Sequence, residues 1–310
     1  MDAKDLTTFE AVARLGGMGR AARELNTVQS NVTQRVRRLE AALGVALFER
    51  SRSGARLTPA GQRLLPYATR VDALLDEAGR AARDDGAPRG TLTIGSLETT
   101  AALRLSPLLA TYAHAHPGVD LVLRTGTTAE MVERVLSREL EGAFVCGPVA
   151  HPQLVSTPAF EEELALLSAP TAETITAALQ QPDLRLVILR AGCSYRQRLE
   201  EVLAHRGIVG LRRLEFGTLE AILGAVAAGL GITLMPRALI GPAWRGARIR
   251  AHRLKPVESR VQTVFVRRRD VQPSSALLAF QSHVTREHVT REHVTKDHAT
   301  KSQPAREKRP

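Results

Sequence analysis

The hydrophobic pattern changes its period at Pro88-Arg89-Gly90, and this change constrains the fold more than any other feature of the 310-residue chain. Before it, apolar residues recur every three or four positions, which is typical of amphipathic helices. After it, short apolar runs alternate with helical segments, which predicts a parallel α/β sheet. The length suits one small and one larger domain. We therefore expect a helical N-terminal module followed by an α/β module.

The composition is that of a globular protein, with 44% hydrophobic and 24% charged residues. No apolar run reaches the roughly 18 residues that a membrane helix needs. The N-terminus carries charges between short apolar steps, unlike a secretory signal, so we expect a cytoplasmic protein with no membrane partner. Two cysteines, Cys146 and Cys193, are too few for a disulfide framework or a four-ligand zinc site. We predict no metal and no cofactor.

The first module has the pattern of a helix-turn-helix. Residues 5–15 predict one amphipathic helix, and residues 18–25 predict a second. Asn26-Thr27 then offers a turn and an N-cap for a third helix over about residues 28–43.

Charge and side-chain type indicate that the third helix contacts DNA. Residues 14–63 hold ten Arg and three Glu, so this segment carries +7 of the total net charge of +11. Val32, Val36 and Leu39 face inward, whereas the other faces carry amides and hydroxyls at one end and cations at the other. Gln and Asn can read adenine, and Arg binds guanine or phosphate. The candidate DNA contacts are Arg20, Gln29, Ser30, Asn31, Thr33, Gln34, Arg35, Arg38, Arg50 and Arg52.

A hairpin and a long helix complete this module. Two short strands, 46–50 and 55–57, predict a basic wing, which makes the module a winged helix. Thr58-Pro59 supplies an N-cap and a first-turn proline for a helix to about Arg83, which Pro66 is expected to kink or break. An apolar seam beyond the proline predicts pairing in a dimer, with packing against its own domain as the alternative. The seam consists of Ala68, Val71, Leu75, Ala78 and Ala82.

Several short motifs follow one another without gaps in this module: Arg20-Ala21-Ala22, Gln29-Ser30, Val36 to Glu40, Leu47-Phe48-Glu49-Arg50 and Leu57 to Gly61. In this pattern the segment resembles the DNA-binding head of LysR-type transcriptional regulators. It departs from the family at Gly17-Met18, where Ser-Phe is common, and at Val28, where Ser is frequent. The resemblance implies a homodimer or tetramer that binds promoter DNA under the control of a small-molecule effector, with RNA polymerase as a further partner.

Strand and helix patterns alternate twice in the second module. A βαβαβ pattern covers residues 91–146, and a similar rhythm covers residues 185–235. A last strand, 261–266, and a helix around 274–281 are expected to return to the first lobe, which leaves two crossing strands as a hinge. The arrangement resembles the effector domain of the same family, which has the two-lobed fold of type 2 periplasmic binding proteins.

The expected fold class is therefore α/β with an N-terminal winged helix-turn-helix. Its segments are a DNA-binding domain over 1–58, a linker and dimerisation helix over 59–87, an effector domain over 88–282 and a disordered, low-complexity tail over 283–310. Within the effector domain, lobe I covers about 88–160 and 266–282, and lobe II about 161–265. The tail repeats HVTRE-like pentads, whose histidines would be turned by about 140° from one to the next on a helix and could not converge on a metal.

Hydroxyl groups and predicted helix starts follow several strands of the second module. Ligands of parallel α/β sheets bind at the carboxyl ends of the strands, although each single hydroxyl is equally well explained as a helix N-cap. These groups favour an anionic or polar effector, whereas Glu98 disfavours a second carboxylate unless it faces an amine or Arg196. The candidates are Ser96, Glu98, Thr99, Thr100, Thr127, Thr128, Gly147, Pro148, Cys193, Ser194, Tyr195 and Thr218.

Three alternatives stay open at this point. Cys146 and Cys193 would form a redox switch across the cleft in a cysteine-sensing regulator of the same family. The α/β half would also suit a solute-binding protein, which needs export and has no use for a basic head. An enzyme is the third alternative, but no Gly-rich phosphate loop, nucleophile elbow or metal spacing appears, so we predict no catalytic residue.

Overall fold

A computed structural model of the chain describes residues 1–51, 54–241 and 248–286, without the side chains of Arg50 and Ser51. The chain divides into two compact units. The N-terminal unit comprises Met1–Asp85 with Leu136–Glu139, and the C-terminal unit comprises Gly86–Val135 and the chain from Leu140 onward. No helix within the described ranges is both long and apolar enough to span a bilayer.

Three helices form the core of the N-terminal unit: α1 (Ala3–Leu15), α2 (Met18–Glu24) and α3 (Gln29–Leu43). Asp2 caps α1 by accepting a hydrogen bond from the Asp5 N–H at 2.8 Å. Gly16 and Gly44 end α1 and α3 in the left-handed conformation that glycine adopts without strain. The inward stripe predicted for α3 is fully buried, together with Phe9 and Val12 of α1.

The start of α3 differs in one respect from the expectation. Its N-cap is Val28, whose side chain makes no capping bond, rather than Thr27. The Thr27 hydroxyl instead accepts a hydrogen bond from the Asn31 side-chain amide at 2.9 Å. Because Val28 cannot cap, the first N–H groups of α3 stay open to other acceptors.

The wing and the long helix follow as predicted, with shifted bounds. β1 (Phe48–Ser51) and β2 (Gly54–Leu57) pair antiparallel, and the tip, residues 52–53, lies outside the described residues. A Cβ atom at Gly54 would lie 2.5 Å from the Gly16 carbonyl oxygen, so only glycine allows the wing to lie this close to the end of α1.

The helix α4 (Pro59–Arg83) runs without interruption through Pro66. Of the two effects expected of this proline, a kink or a break, the break is therefore wrong. Thr58 caps the helix, its hydroxyl accepting from the Gly61 N–H at 3.1 Å, as predicted.

The first lobe of the C-terminal unit is a mixed sheet in the order β4-β3-β5-β11-β6. Its strands are β3 (Gly90–Ser96), β4 (Val119–Thr125), β5 (Gly142–Cys146), β6 (Leu154–Ser168) and β11 (Arg260–Arg268). β3 pairs parallel with β4 and β5, whereas β11 returns antiparallel between β5 and β6. The helical segments are α5 (Glu98–Thr100), a π-type turn (Ala101–Leu105), α6 (Ser106–Ala115) and α7 (Thr128–Leu136). The expected lobe boundary at residue 265 falls inside β11.

The strand β6 belongs to both lobes. Its first part, Leu154–Glu163, pairs with β11, and Leu164–Ser168 pairs with strands of the second lobe. The elements of that lobe are α8 (Ile175–Leu179), β7 (Arg185–Leu189), α9 (Ser194–Ala204), β8 (Arg212–Phe216), α10 (Leu219–Ala227), β9 (Thr233–Pro236), β10 (Arg250–Arg253) and α11 (Pro256–Ser259). Together with the return into β11, β6 supplies the two crossings that the sequence pattern predicts.

The final helix, α12, covers residues 275–286, the last part of the chain that the structure describes. Leu277, Phe280 and Val284 lie on its inner face and are buried in the core of the first lobe. The His283 ring also makes a 2.8 Å hydrogen bond through Nε2 with the Thr111 hydroxyl. The first residues of the repeat, 283–286, therefore belong to the fold, contrary to the expected boundary, because Val284 extends the apolar stripe by one turn.

Candidate nucleic-acid interface and ligand pocket

The outer face of α3 is polar and open to solvent. Ser30, Gln34 and Arg37 are exposed, and within the ranges given above none of their side chains is engaged by another residue. Gln29 is exposed as well. Its side chain lies close to Gly19 of α2, since a Cβ atom on that glycine would be 3.2 Å from the Gln29 amide oxygen. The amides and hydroxyl follow the uncapped start of the helix, which is the arrangement that reads base edges in a major groove.

Two of the predicted DNA contacts are engaged inside the unit. Arg38 donates to the nearly buried Asp5 carboxylate, at 3.0 Å from Nε to Oδ2, and to Asp2 at 2.8 Å. Arg35 lies 3.5 Å from the same Asp5 carboxylate. These arginines connect α3 to the start of α1, and 55% of the Arg38 side chain stays exposed in this pairing. The role of Arg38 as a DNA contact stays a prediction.

Burial of Asp5 by itself would raise the pKa of its carboxyl group. The hydrogen bond from Arg38, the backbone hydrogen bond within the first turn and the charges of Arg38 and Arg35 outweigh burial, and the pKa is lowered overall. Asp5 therefore stays ionised at neutral pH and neutralises part of the basic face.

The other predicted contacts lie around this face. Arg20 is exposed, whereas Asn31 and Thr33 are partly buried. The side chain of Arg50 and the whole of Arg52 lie outside the described residues.

The predicted dimer seam is only partly available on α4. Ala68 is fully buried in the core of the N-terminal unit, and Val71 packs against the same core. Leu75, Ala78 and Ala82 are exposed, and Leu74 next to them is also about half exposed. The alternative of packing within its own domain thus holds for the first turn of the seam, and an uncovered apolar face remains beyond it.

A pocket lies between the lobes of the C-terminal unit, at the carboxyl ends of β3 and β7. It holds about 390 Å³ of empty space, part of it open to solvent. Six predicted residues line it, and four others complete it. The predicted ones are Glu98, Thr99, Thr127, Cys193, Ser194 and Tyr195, and the others are Leu97, Gly126, Leu189 and Arg190.

Contacts between the lobes close the pocket on one side. The Tyr195 hydroxyl lies 3.4 Å from the Thr99 hydroxyl, and burial raises the pKa of Tyr195, so the phenol is neutral. The Ala129 N–H donates to the Gly192 carbonyl at 3.5 Å, and Arg190 pairs with Glu130 at 3.2 Å. The two lobes therefore meet along the rim of this pocket.

The remaining candidates do not line the pocket, and each has a structural explanation. Ser96 is buried and its hydroxyl donates to the Leu97 carbonyl, Thr128 accepts from the Cys146 N–H, and Thr100 is buried. The Gly147 N–H donates to the Gln262 carbonyl of β11, before a cis peptide bond to Pro148. Thr218 is exposed and caps α10.

Arg190 is the charged pocket residue that the sequence analysis missed. It directly follows β7, so its position at a strand end is a usable signal, although it carries no hydroxyl and begins no predicted helix. Arg196, one of the two partners considered for Glu98 in the sequence, pairs with Glu200 and Glu215.

Both cysteines are free thiols close to the pocket. Burial raises the pKa of Cys146 and of Cys193, which disfavours the thiolate that oxidation chemistry needs. The geometry gives the redox alternative no specific support.

A winged helix with an exposed polar recognition face, followed by a two-lobed α/β unit with a pocket between its lobes, defines the class of ligand-responsive DNA-binding regulators. Two family models match the chain: the lysR-family bacterial regulatory helix-turn-helix protein over residues 3–62, and the LysR substrate binding domain over residues 85–288. The chain belongs to the LysR family of transcriptional regulators. The resemblance seen in its N-terminal motifs and the fold class expected from the sequence are both confirmed.

Relatives are similar in sequence to this chain along nearly its whole length. The HTH-type transcriptional regulator GltR of Bacillus subtilis (strain 168) is 41% identical over 284 residues, which cover 92% of this chain and 96% of GltR. YusT of the same organism, an uncharacterized HTH-type transcriptional regulator, is 44% identical over 285 residues, with 92% and 96% covered. Among solved structures, full-length CbnR complexed with its target DNA is 26% identical with a TM-score of 0.66, covering 92% of this chain and 99% of CbnR.

Proposed function

We propose that the protein binds promoter DNA as a homodimer, with α3 in the major groove of each half-site, and that a small molecule in the pocket between the lobes controls this binding. The exposed polar face of α3 is the observation that carries the proposal. Ser30 and Gln34 present hydrogen-bonding groups that no described neighbour engages, beside the exposed Arg37. The similarity to CbnR, which was solved with its target DNA, supports the same mode of binding.

The uncovered apolar face of α4 supports the dimer. Leu74 and Leu75 are 47% and 48% exposed, and a helix with such residues buries them by pairing with a second helix. A twofold pair of heads would place the recognition helices one or more DNA turns apart, about 34 Å for each turn. Assembly into a tetramer and contact with RNA polymerase belong to the same proposal, as does action in the cytoplasm, where promoter DNA is accessible.

Recovery of genomic DNA fragments by the purified full-length protein, in excess random competitor, tests the proposal. We expect a small set of intergenic fragments that share an inverted repeat, and protection of both half-sites on the same face of the duplex. Binding that is only salt-sensitive and shows no preferred fragment would contradict sequence-specific recognition by α3, because phosphate contacts alone carry no sequence information.

A further inference from the structure

The Glu98 carboxylate at the pocket is repelled by the carboxylates of Glu220 and Glu130 and attracted by the guanidinium of Arg190. Arg190 is already paired with Glu130 at 3.2 Å. Glu130 in turn accepts from the Thr127 N–H at 2.9 Å, which completes a reciprocal cap at the start of α7. Arg190 and Glu130 thus largely neutralise each other.

Within the described part of the chain, Glu98 is the charged pocket residue that the pairing of Arg190 with Glu130 leaves without a counterion. It lines the pocket and is partly buried, and among the residues that the structure describes no hydrogen bond or ion pair reaches its carboxylate. Burial raises its pKa, Arg190 opposes that shift, and Glu220 and Glu130 add to it. A partly desolvated carboxylate with further carboxylates nearby is stabilised by a bound cation and destabilised by a bound anion.

The rest of the pocket wall suits a compact apolar group. Leu97, Leu189 and Cys193 contribute apolar surface, and the Tyr195 ring lies beside them. A Cβ atom at Gly126 would lie 2.5 Å from Glu130 Oε2 and 2.7 Å from the Met131 methyl group, so glycine leaves room for both side chains here.

We propose that the effector is a small organic ammonium compound, whose cationic nitrogen pairs with Glu98 while its compact apolar body packs against Leu97, Leu189 and Tyr195. This inference rests on the proposed function, since it names the class of effector for the same pocket. It reverses the preference for an anionic ligand that hydroxyls and helix starts suggested. Those hydroxyls are engaged within the protein: Thr127 in the cap of α7 and Thr99 with Tyr195.

Isothermal titration of the full-length protein with matched probes tests the ligand class. One series is benzylamine, benzyl alcohol and benzoate, and a second is isobutylamine, isobutanol and isobutyrate, so that shape is constant and only charge changes. In at least one series we expect the amine to bind about tenfold or more tightly than the alcohol, and the carboxylate to bind most weakly. An amine that binds no more tightly than its alcohol or its carboxylate in both series would overturn the proposal.

The variant Glu98→Gln locates the effect. It keeps the shape of the side chain and should reduce the amine's advantage over the alcohol to less than about threefold, whereas the exposed Glu173→Gln should leave it unchanged. Unchanged amine selectivity in Glu98→Gln would reject Glu98 as the recognition group. The probe ranking of the unmodified protein tests the ligand class even if the variant does not fold.

DNA binding measured on the same preparations separates this inference from the proposed function. If the inverted repeat is bound and no amine is preferred, the ligand class fails and the DNA-binding regulator stands. If an amine is preferred and no DNA site is selected, the regulator proposal fails independently.

Discussion

Single residues of α3 differ in whether their side chains are paired within the head. Arg38 and Arg35 pair with the buried Asp5, whereas the side chains of Gln34 and Arg37 are exposed. A count of basic residues in the sequence could not make this distinction. Part of the positive charge of the segment is therefore balanced within the head by Asp5.

The first prediction concerns base reading by α3. We expect Gln34→Ala to weaken binding to the inverted repeat by about 1 to 3 kcal/mol while random DNA is bound as before, because an amide reads a base edge. Arg37→Ala is the contrasting variant and should weaken both, lowering the salt slope by about one unit. Titrations of both DNAs at several salt concentrations measure the difference. Equal losses on both DNAs for Gln34→Ala would assign it a phosphate contact instead.

The second prediction concerns acid stability. The folded-state pKa of Asp5 lies below its ordinary value of 3.8, so its ion pairs contribute stability above that value and lose it as the pH falls through the lowered pKa. Thermal unfolding of the full chain between about pH 7 and about pH 3 should show this loss. Asp5→Asn should reduce the loss of stability at low pH, whereas the exposed Asp120→Asn should not. If Asp5→Asn lost as much stability at low pH as the parent protein, the ion pairs of Asp5 would not be the cause of that loss.

At the level of elements, the α4 helix gives the third prediction. Leu75→Lys places a charge in the proposed dimer seam and should convert dimers to monomers in light scattering. Leu230→Lys is the matched control, because Leu230 is 46% exposed against 48% for Leu75 but lies in the C-terminal unit. An unchanged mass for Leu75→Lys would contradict the pairing of α4 helices.

The last helix carries the fourth prediction. Val284 is 6% exposed, so Val284→Ala should lower the free energy of unfolding by about 1 to 2 kcal/mol through the loss of two buried methyl groups. A chain ending after residue 286 should keep the stability of the full chain. Denaturant unfolding measures both, and equal stability of Val284→Ala and the parent chain would show that the repeat does not contribute to the core.

The sequence predicted most elements whose apolar period is uninterrupted, and it missed β6 for a physical reason. Pro158 and the consecutive Glu161, Glu162 and Glu163 break the alternation that identifies a strand. The charges are tolerated because Glu162 pairs with Arg104 at 2.7 Å and Glu163 lies 3.6 Å from Arg237. These partners are distant in the chain. In the pocket, likewise, the strand ends predicted Glu98 and Tyr195, whereas the pairing of Arg190 with Glu130 depends on how two lobes fold onto each other.

At the level of the whole molecule, the two compact units should unfold separately, and this is the fifth prediction. Asp2→Ala removes the cap of α1 and should cost the N-terminal unit about 1 kcal/mol. Gly142→Ala brings a Cβ atom to 2.2 Å from the Phe265 ring and should cost the C-terminal unit about 1 to 3 kcal/mol. Calorimetry should then show each variant shifting one transition only. A shared shift would mean that the units unfold as one.

The burial of Val284 also bears on how many pentads the chain needs. The first pentad begins inside α12, while the later ones begin after residue 286. Because each pentad starts with His and its second residue is Val in three of the four, deletion of one unit brings the same His-Val pair into positions 283 and 284. A chain that is one pentad shorter would therefore keep a valine at the position that is buried in the core of the first lobe.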